Sequence, residues 1–110
     1  MSMIRQGDVL LVPVEKFPEN YQVVSPEDGR LILARGEATG HHHSVACGDQ
    51  VTLVRADDAE GTLFIGVRAG ETAVLLEHQE HDVHVLPPCI FEVRIQVEWS
   101  DEHEPHRVED

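Results

Sequence analysis

Aromatic residues are scarce in this 110-residue chain, at 5%, so its core must rest on Val, Leu and Ile. Cysteine is scarcer still: there are only Cys47 and Cys89. Two thiols do not make the disulfide framework that staples small secreted domains, and Met1-Ser2-Met3-Ile4-Arg5 has no apolar leader core. The expectation is a cytoplasmic protein with free thiols. No apolar run approaches the roughly 20 residues of a membrane span, so no membrane contact is expected. Basic residues are also few, 8 Lys and Arg against 21 Asp and Glu, for a formal net charge of −13. Such a balance repels phosphate backbones and excludes the basic footprint of a nucleic-acid binder. It suits cations or a basic protein partner, and in the plainest reading it aids solubility. Neither a phosphate-cradling glycine loop nor the ligand spacing of a calcium loop occurs, the acidic run Asp57-Asp58-Ala59-Glu60 included.

What is present is patterned. Hydrophobic residues make up 41% and charged residues 26%, an ordinary globular balance for one domain. The pattern has period two almost throughout. Asp8 to Val14, Leu31 to Ala34, His41 to Ala46, Gln50 to Arg55, Thr62 to Arg68 and Thr72 to Leu76 read as strands. In the last strand Phe91, Val93, Ile95, Val97 and Trp99 alternate with Glu92, Arg94, Gln96 and Glu98, one face dry and the other wet. Residues 15–30 carry Pro18, Asn20, Pro26, Asp28 and Gly29 and read as a loop, within which Tyr21 to Val24 pairs briefly. Asp57 to Gly61 reads as a hairpin loop with Gly61 at positive φ. The fold class is all-β: a small single-domain barrel, or a jelly-roll or sandwich, of about eight short strands. Residues 1–99 form this domain. Residues 100–110 form an acidic tail, frayed or in a short surface turn of helix.

Six of the eight histidines lie in two clusters, His41-His42-His43 and His78-Gln79-Glu80-His81-Asp82-Val83-His84. Residues i and i+2 of a strand share a face, so His41 and His43 point together and His42 points away. From the second cluster, His78 and His81 converge with them if a turn occupies Gln79-Glu80. Glu80 then serves as a carboxylate ligand or orients an imidazole. Three or four imidazoles with one carboxylate suit zinc, iron(II), manganese or nickel, and an open position would allow water activation. The candidate ligand set is therefore His41, His43, His78, His81 and Glu80, and no reaction follows from it. The opposing reading is a solvated histidine-rich turn that binds nothing. His84 is expected to point outward, and His103 and His106 to be solvated in the tail. Cys47 reads as a small buried residue rather than a nucleophile, and Cys89 as structural.

The segments Arg5-Gln6-Gly7-Asp8-Val9-Leu10-Leu11, Gly40-His41-His42-His43, His78-Gln79-Glu80-His81 and Leu86-Pro87-Pro88 together resemble a group of small, uncharacterised bacterial and phage-encoded proteins. That resemblance implies no activity. The chain departs from the group's last element, with Cys89 in place of glycine and Phe91 in place of tyrosine. His41-His42-His43 with a later histidine before a Pro-rich turn is also similar in outline to the cupins, which implies a metal-binding barrel. Cys47 stands where cupins carry a glutamate.

Two other functions compete with a metal site. An acidic β-domain without metal would act as an interaction module for a basic partner, or as a mimic of a nucleic-acid surface, its binding weakening as salt rises. Alternatively, the histidine clusters would charge near pH 6 and act as a pH sensor. Unpaired sheet edges would favour a homodimer in any of these cases.

Overall fold

In the computed structural model, residues 2–36, 40–99 and 105–107 are described. All regular structure among them is strand: β1 (Ile4–Gln6), β2 (Val9–Val14), β3 (Tyr21–Val23), β4 (Arg30–Arg35), β5 (His42–Ala46) and β6 (Val51–Ala56) in the first half. The second half holds β7 (Leu63–Val67), β8 (Val74–Leu76), β9 (His84–Leu86), β10 (Cys89–Ile95), β11 (Val97–Trp99) and β12 (Pro105–Arg107). The all-β class expected from the period-two pattern is what the chain adopts.

Six strands form one antiparallel sheet in the order β1-β2-β10-β7-β6-β3. A second layer is built from hairpins. Strands β4 and β5 pair with a register shift between Ile32 and Ala34, and β8 pairs with β9. A bridge joins the two hairpins: Ser44 and Glu77 exchange both backbone hydrogen bonds, at 3.0 and 2.9 Å. The arrangement is an open sandwich rather than a closed barrel. Its β1 and β3 edges stay separate because β1 is a short flap on β2, while β3 is a short, exposed strand on β6.

The core lies between the layers. Val9, Leu11, Leu53, Ile65, Phe91 and Val93 of the large sheet meet Leu31, Leu33, Val45, Leu76 and Leu86 of the hairpin layer. These are mostly Val, Leu and Ile, with one aromatic ring, as the scarcity of aromatics requires. The alternation of β10 buries Phe91 and Val93 but stops there. Ile95 is 39% exposed, at the open end of the sandwich. The strand then breaks at Gln96, and β11 turns away to pair with β12, Val97 opposite Arg107 and Trp99 opposite Pro105. One long final strand is thus two short ones, and residues 105–107, read as part of a frayed or helical tail, are a paired strand.

Two turns follow their residue chemistry. Asp28 and Gly29 both take positive φ, 50° and 76°, and close a tight reversal in which Glu27 and Arg30 bridge. In the expected hairpin loop, Gly61 sits at φ 62°, and Asp58 Oδ1 accepts the amides of Glu60, Gly61 and Thr62. Desolvation pushes the Asp58 carboxyl upward, but these N–H donors outweigh it and hold the group below its ordinary 3.8.

Candidate functional site

The β1–β2 hairpin sets the first part of the site. Gln6 pairs with Val9, which leaves Gly7-Asp8 as a two-residue connection with Gly7 at φ 58°, the positive value such a turn needs at its first position. Around this turn Gln6 is 2% exposed and Asp8 1%. An amide and a carboxylate that dry require partners. Gln6 Nε2 donates to the carbonyl oxygens of Leu76 at 3.1 Å and Asp82 at 2.8 Å, so it fastens both ends of the segment between β8 and β9. Carbonyls only accept, so the amide's Oε1 must face the other way, and it lies 2.8 Å from His43 Nδ1.

This contact decides the state of His43, a fully buried ring on β5. Nδ1 carries the proton and donates to Gln6. In the neutral ring Nε2 then keeps its lone pair, and it stands 3.3 Å from Asp8 Oδ1.

The second histidine segment closes over this pair. Ring centroids lie 4.3 Å apart for His43 and His78, 4.7 Å for His78 and His81, 5.6 Å for His41 and His78, and 6.1 Å for His43 and His81. His78 is buried, and its Nδ1 accepts the backbone N–H of Glu80 at 3.1 Å. The neutral His78 ring therefore holds its proton on Nε2, the opposite tautomer to His43. His81 is half-buried; its Nε2 is shielded from solvent and has no hydrogen-bond partner among the described residues. His41 is half-buried at the outer side, with Nδ1 3.9 Å from Oε1 of the exposed Glu80. Among the described residues, no group of three or more His, Cys, Asp or Glu side chains is placed so that it could hold a metal ion. At Nε2 the neutral His43 ring offers a lone pair, whereas the neutral His78 ring offers an N–H.

A shallow cleft of about 310 Å³ runs beside His78, lined by Arg30, His42, Glu77 and Gln79. Its charges are mutually satisfied. Arg30 donates to Ser44 Oγ at 2.8 Å, to Ser44 O at 3.2 Å and to Glu77 at 3.0 Å.

A family model described as a domain of unknown function (DUF8820) matches residues 5–96. The chain belongs to this family. The matched region takes in both histidine segments and the Gln6-Gly7-Asp8 turn, and it ends before β11. Among curated proteins and among solved structures, none matches the chain.

For this DUF8820 chain, sequence reading and structure can be set side by side residue by residue. His41, His43, His78 and His81, drawn from segments about 35 residues apart, are brought into one contiguous set of rings. Glu80 contributes its backbone amide to His78, while its carboxylate stands at the solvent side near His41. His42 turns to Ser44 instead, with Nδ1 2.9 Å from Oγ. His84 is half-buried at the start of β9, less outward than its neighbours suggest. His103 lies outside the described residues, and His106 falls in β12. Cys47 is exposed, not buried, because β5 ends at Ala46 and the chain leaves the core there; Cys89 packs partly against it.

Gln6 and Asp8 are the two members of the cluster that sequence reasoning did not assign. A signal existed: Gln-Gly-Asp places an amide and an acid on a two-residue turn between apolar strand residues. Such a turn usually faces water. Its burial comes from the 77–83 segment folding over it, a contact across some 70 positions that no local pattern announces.

Proposed function

We propose that this chain binds one divalent transition-metal ion among the rings of His41, His43, His78 and His81, with Glu80 at the solvent side. The observation that supports this is the convergence of four imidazoles from two distant segments, in a region where two of the rings are buried and the other two half-buried. A solvated histidine-rich turn would scatter its rings. Here they touch. Imidazoles on one ion, with metal–nitrogen bonds of about 2.0–2.1 Å, have ring centroids about 4.5–6.5 Å apart. The four separations, 4.3 to 6.1 Å, fall within a few tenths of that range. Neutral imidazole donors with one carboxylate suit zinc, iron(II), manganese or nickel.

His43 is prepared for the role because Gln6 holds its proton on Nδ1 and leaves Nε2 as the donor. His78 joins only after its ring turns over and releases the Glu80 amide. Binding therefore reorders the 78–81 turn, which lies on the surface side of the cluster. Any reaction at such an ion would run through a metal-bound water or substrate at an open coordination position.

The test is elemental analysis of untagged full-length protein purified without a nickel column or chelator. One equivalent of a single transition metal is expected, lost when His43 and His81 are both changed to Ala. Protein that carries no metal and takes up none of the four when offered would remove the proposal.

A further inference from the structure

The large sheet ends at β3, and among the described residues no strand pairs with its outer side. We propose that this edge receives an extended basic peptide by strand addition, the peptide backbone pairing with Tyr21 and Val23. The site is separate from the histidine cluster and does not rest on the metal reading.

Register decides which backbone groups the edge offers. Between β3 and β6, Tyr21 stands opposite Ala56, Gln22 opposite Arg55 and Val23 opposite Val54. On either side of these pairs, the Asp57 N–H donates to Asn20 O at 2.9 Å and the Val24 N–H to Leu53 O at 2.8 Å. Hydrogen-bonded and non-bonded pairs alternate along an antiparallel ladder. Residues 20, 22 and 24 therefore bond to β6, and the N–H and C=O groups of Tyr21 and Val23 point outward. Their side chains are exposed too, Val23 at 68% and Tyr21 at 44%. As residues i and i+2 they share one face of the strand. Phe17 extends that face: its ring centroid lies 5.6 Å from that of Tyr21, and it sits over Gly66, where a Cβ would come within 2.5 Å of it. Outward backbone groups and an apolar ledge thus run together. A bound strand uses both, the first for ladder bonds and the second for alternate side chains.

Other sheet margins are guarded. Arg5 stands at the centre of β1, β4 carries the register shift between Ile32 and Ala34, and β9 runs into Pro87-Pro88. Tyr21-Gln22-Val23 holds no charge, bulge or proline, and only its short length between Pro18 and Pro26 restrains it.

Charge selects the occupant. Around the start of β3 stand Glu15, Glu19, Asp57, Asp58 and Glu60, all exposed, against Lys16 and Arg55. Arg55 is turned to the Gly61 carbonyl, 3.2 Å away. A cationic strand gains from this field, whereas a second copy would bring the same acids and a net charge of −13 to the edge. The ligand class is a peptide that alternates apolar and basic residues, its apolar side chains lying on Tyr21 and Val23.

The experiment titrates full-length untagged protein into a short labelled peptide of alternating valine and lysine, read by fluorescence anisotropy. A block peptide of the same composition, lysines first and valines after, is the control for charge alone. Val23→Pro removes an outward N–H and leaves the bonds of Gln22 and Val24 to β6 in place. The alternating peptide is expected to bind wild type about 10-fold more tightly than the block peptide, and to lose about 10-fold in Val23→Pro. Its binding should also weaken as sodium chloride screens the acids. A wild-type chain that binds neither peptide, or both alike, overturns the proposal, and so does a Val23→Pro chain that binds as wild type does. Should Val23→Pro lose its all-β circular dichroism, Val23→Lys replaces it: the backbone is kept, the ledge is lost, and an undiminished preference for the alternating peptide overturns the proposal. Sedimentation of the protein alone tests the rival occupant. A wild-type dimer that Val23→Pro or Val23→Lys dissociates assigns the edge to a second copy and overturns the peptide reading.

Discussion

Two regions of this molecule are almost equally dry and could hardly be built more differently. In one, Val9, Leu11, Leu53, Ile65 and Phe91 meet the hairpin layer and are at most 1% exposed. In the other, a few residues away along the same strands, Gln6, Asp8, His43 and Ser44 are at most 2% exposed. The apolar region gains free energy from burial itself, in proportion to area and with little regard for direction. The polar region gains nothing from burial and must recover the loss of water by directed contacts: Gln6 to Leu76, Asp82 and His43, and Ser44 to Glu77 and Arg30. Stability comes from the first region. The second spends part of it to hold specific donor and acceptor atoms at fixed points, an arrangement natural to a binding site and wasteful as mere filling.

That contrast can be broken from either side. The largest loss of stability is expected from Phe91→Ala, which empties the centre of the apolar region and should cost about 3–5 kcal/mol, read as a shift of the urea midpoint. On the proposed metal reading, metal uptake by the folded fraction should persist, since Phe91 is not one of the clustered rings. Smaller, but sharper in meaning, is Gln6→Met. It conserves volume yet strands two carbonyls and the His43 Nδ1–H, for a cost of about 2–3 kcal/mol in the metal-free protein. An unchanged midpoint would show that the polar region is wetted and that the comparison is false. The smallest effect belongs to the exposed Asp58 loop, which serves neither region. Its carboxyl is held below 3.8 in the folded chain, so its stabilising contribution is present above that value and disappears as pH falls through the folded value. The melting temperatures of Asp58→Ala and wild type should therefore differ slightly at neutral pH and converge in strong acid. A constant gap across that range would assign the loop's stability to something other than the charge.

Much of the apolar region was legible in advance. The alternation of Phe91 and Val93, the strand at Leu31 to Ala34, and Gly61 in its hairpin all read correctly, because period two and turn chemistry are local properties. The break at Gln96 was not legible, since Val97 and Trp99 continue the pattern while the sheet they would join has ended. Strand β1 was not read, because Ile4-Arg5-Gln6 before a glycine turn shows no alternation of its own. In the polar region the histidines announced themselves by type and spacing. Gln6 and Asp8 did not, because a polar pair beside a glycine is the ordinary composition of an exposed turn.

By itself, then, the sequence determined the all-β class, the aliphatic core and the histidines worth attention, since each follows from residue type and near-neighbour spacing. Tertiary structure alone decided that the sandwich stays open, that the 77–83 segment covers the first turn, and that Gln6 sets the proton on His43. Those outcomes depend on contacts between residues tens of positions apart. Their geometry is selected by packing the whole chain at once, and no single segment encodes it.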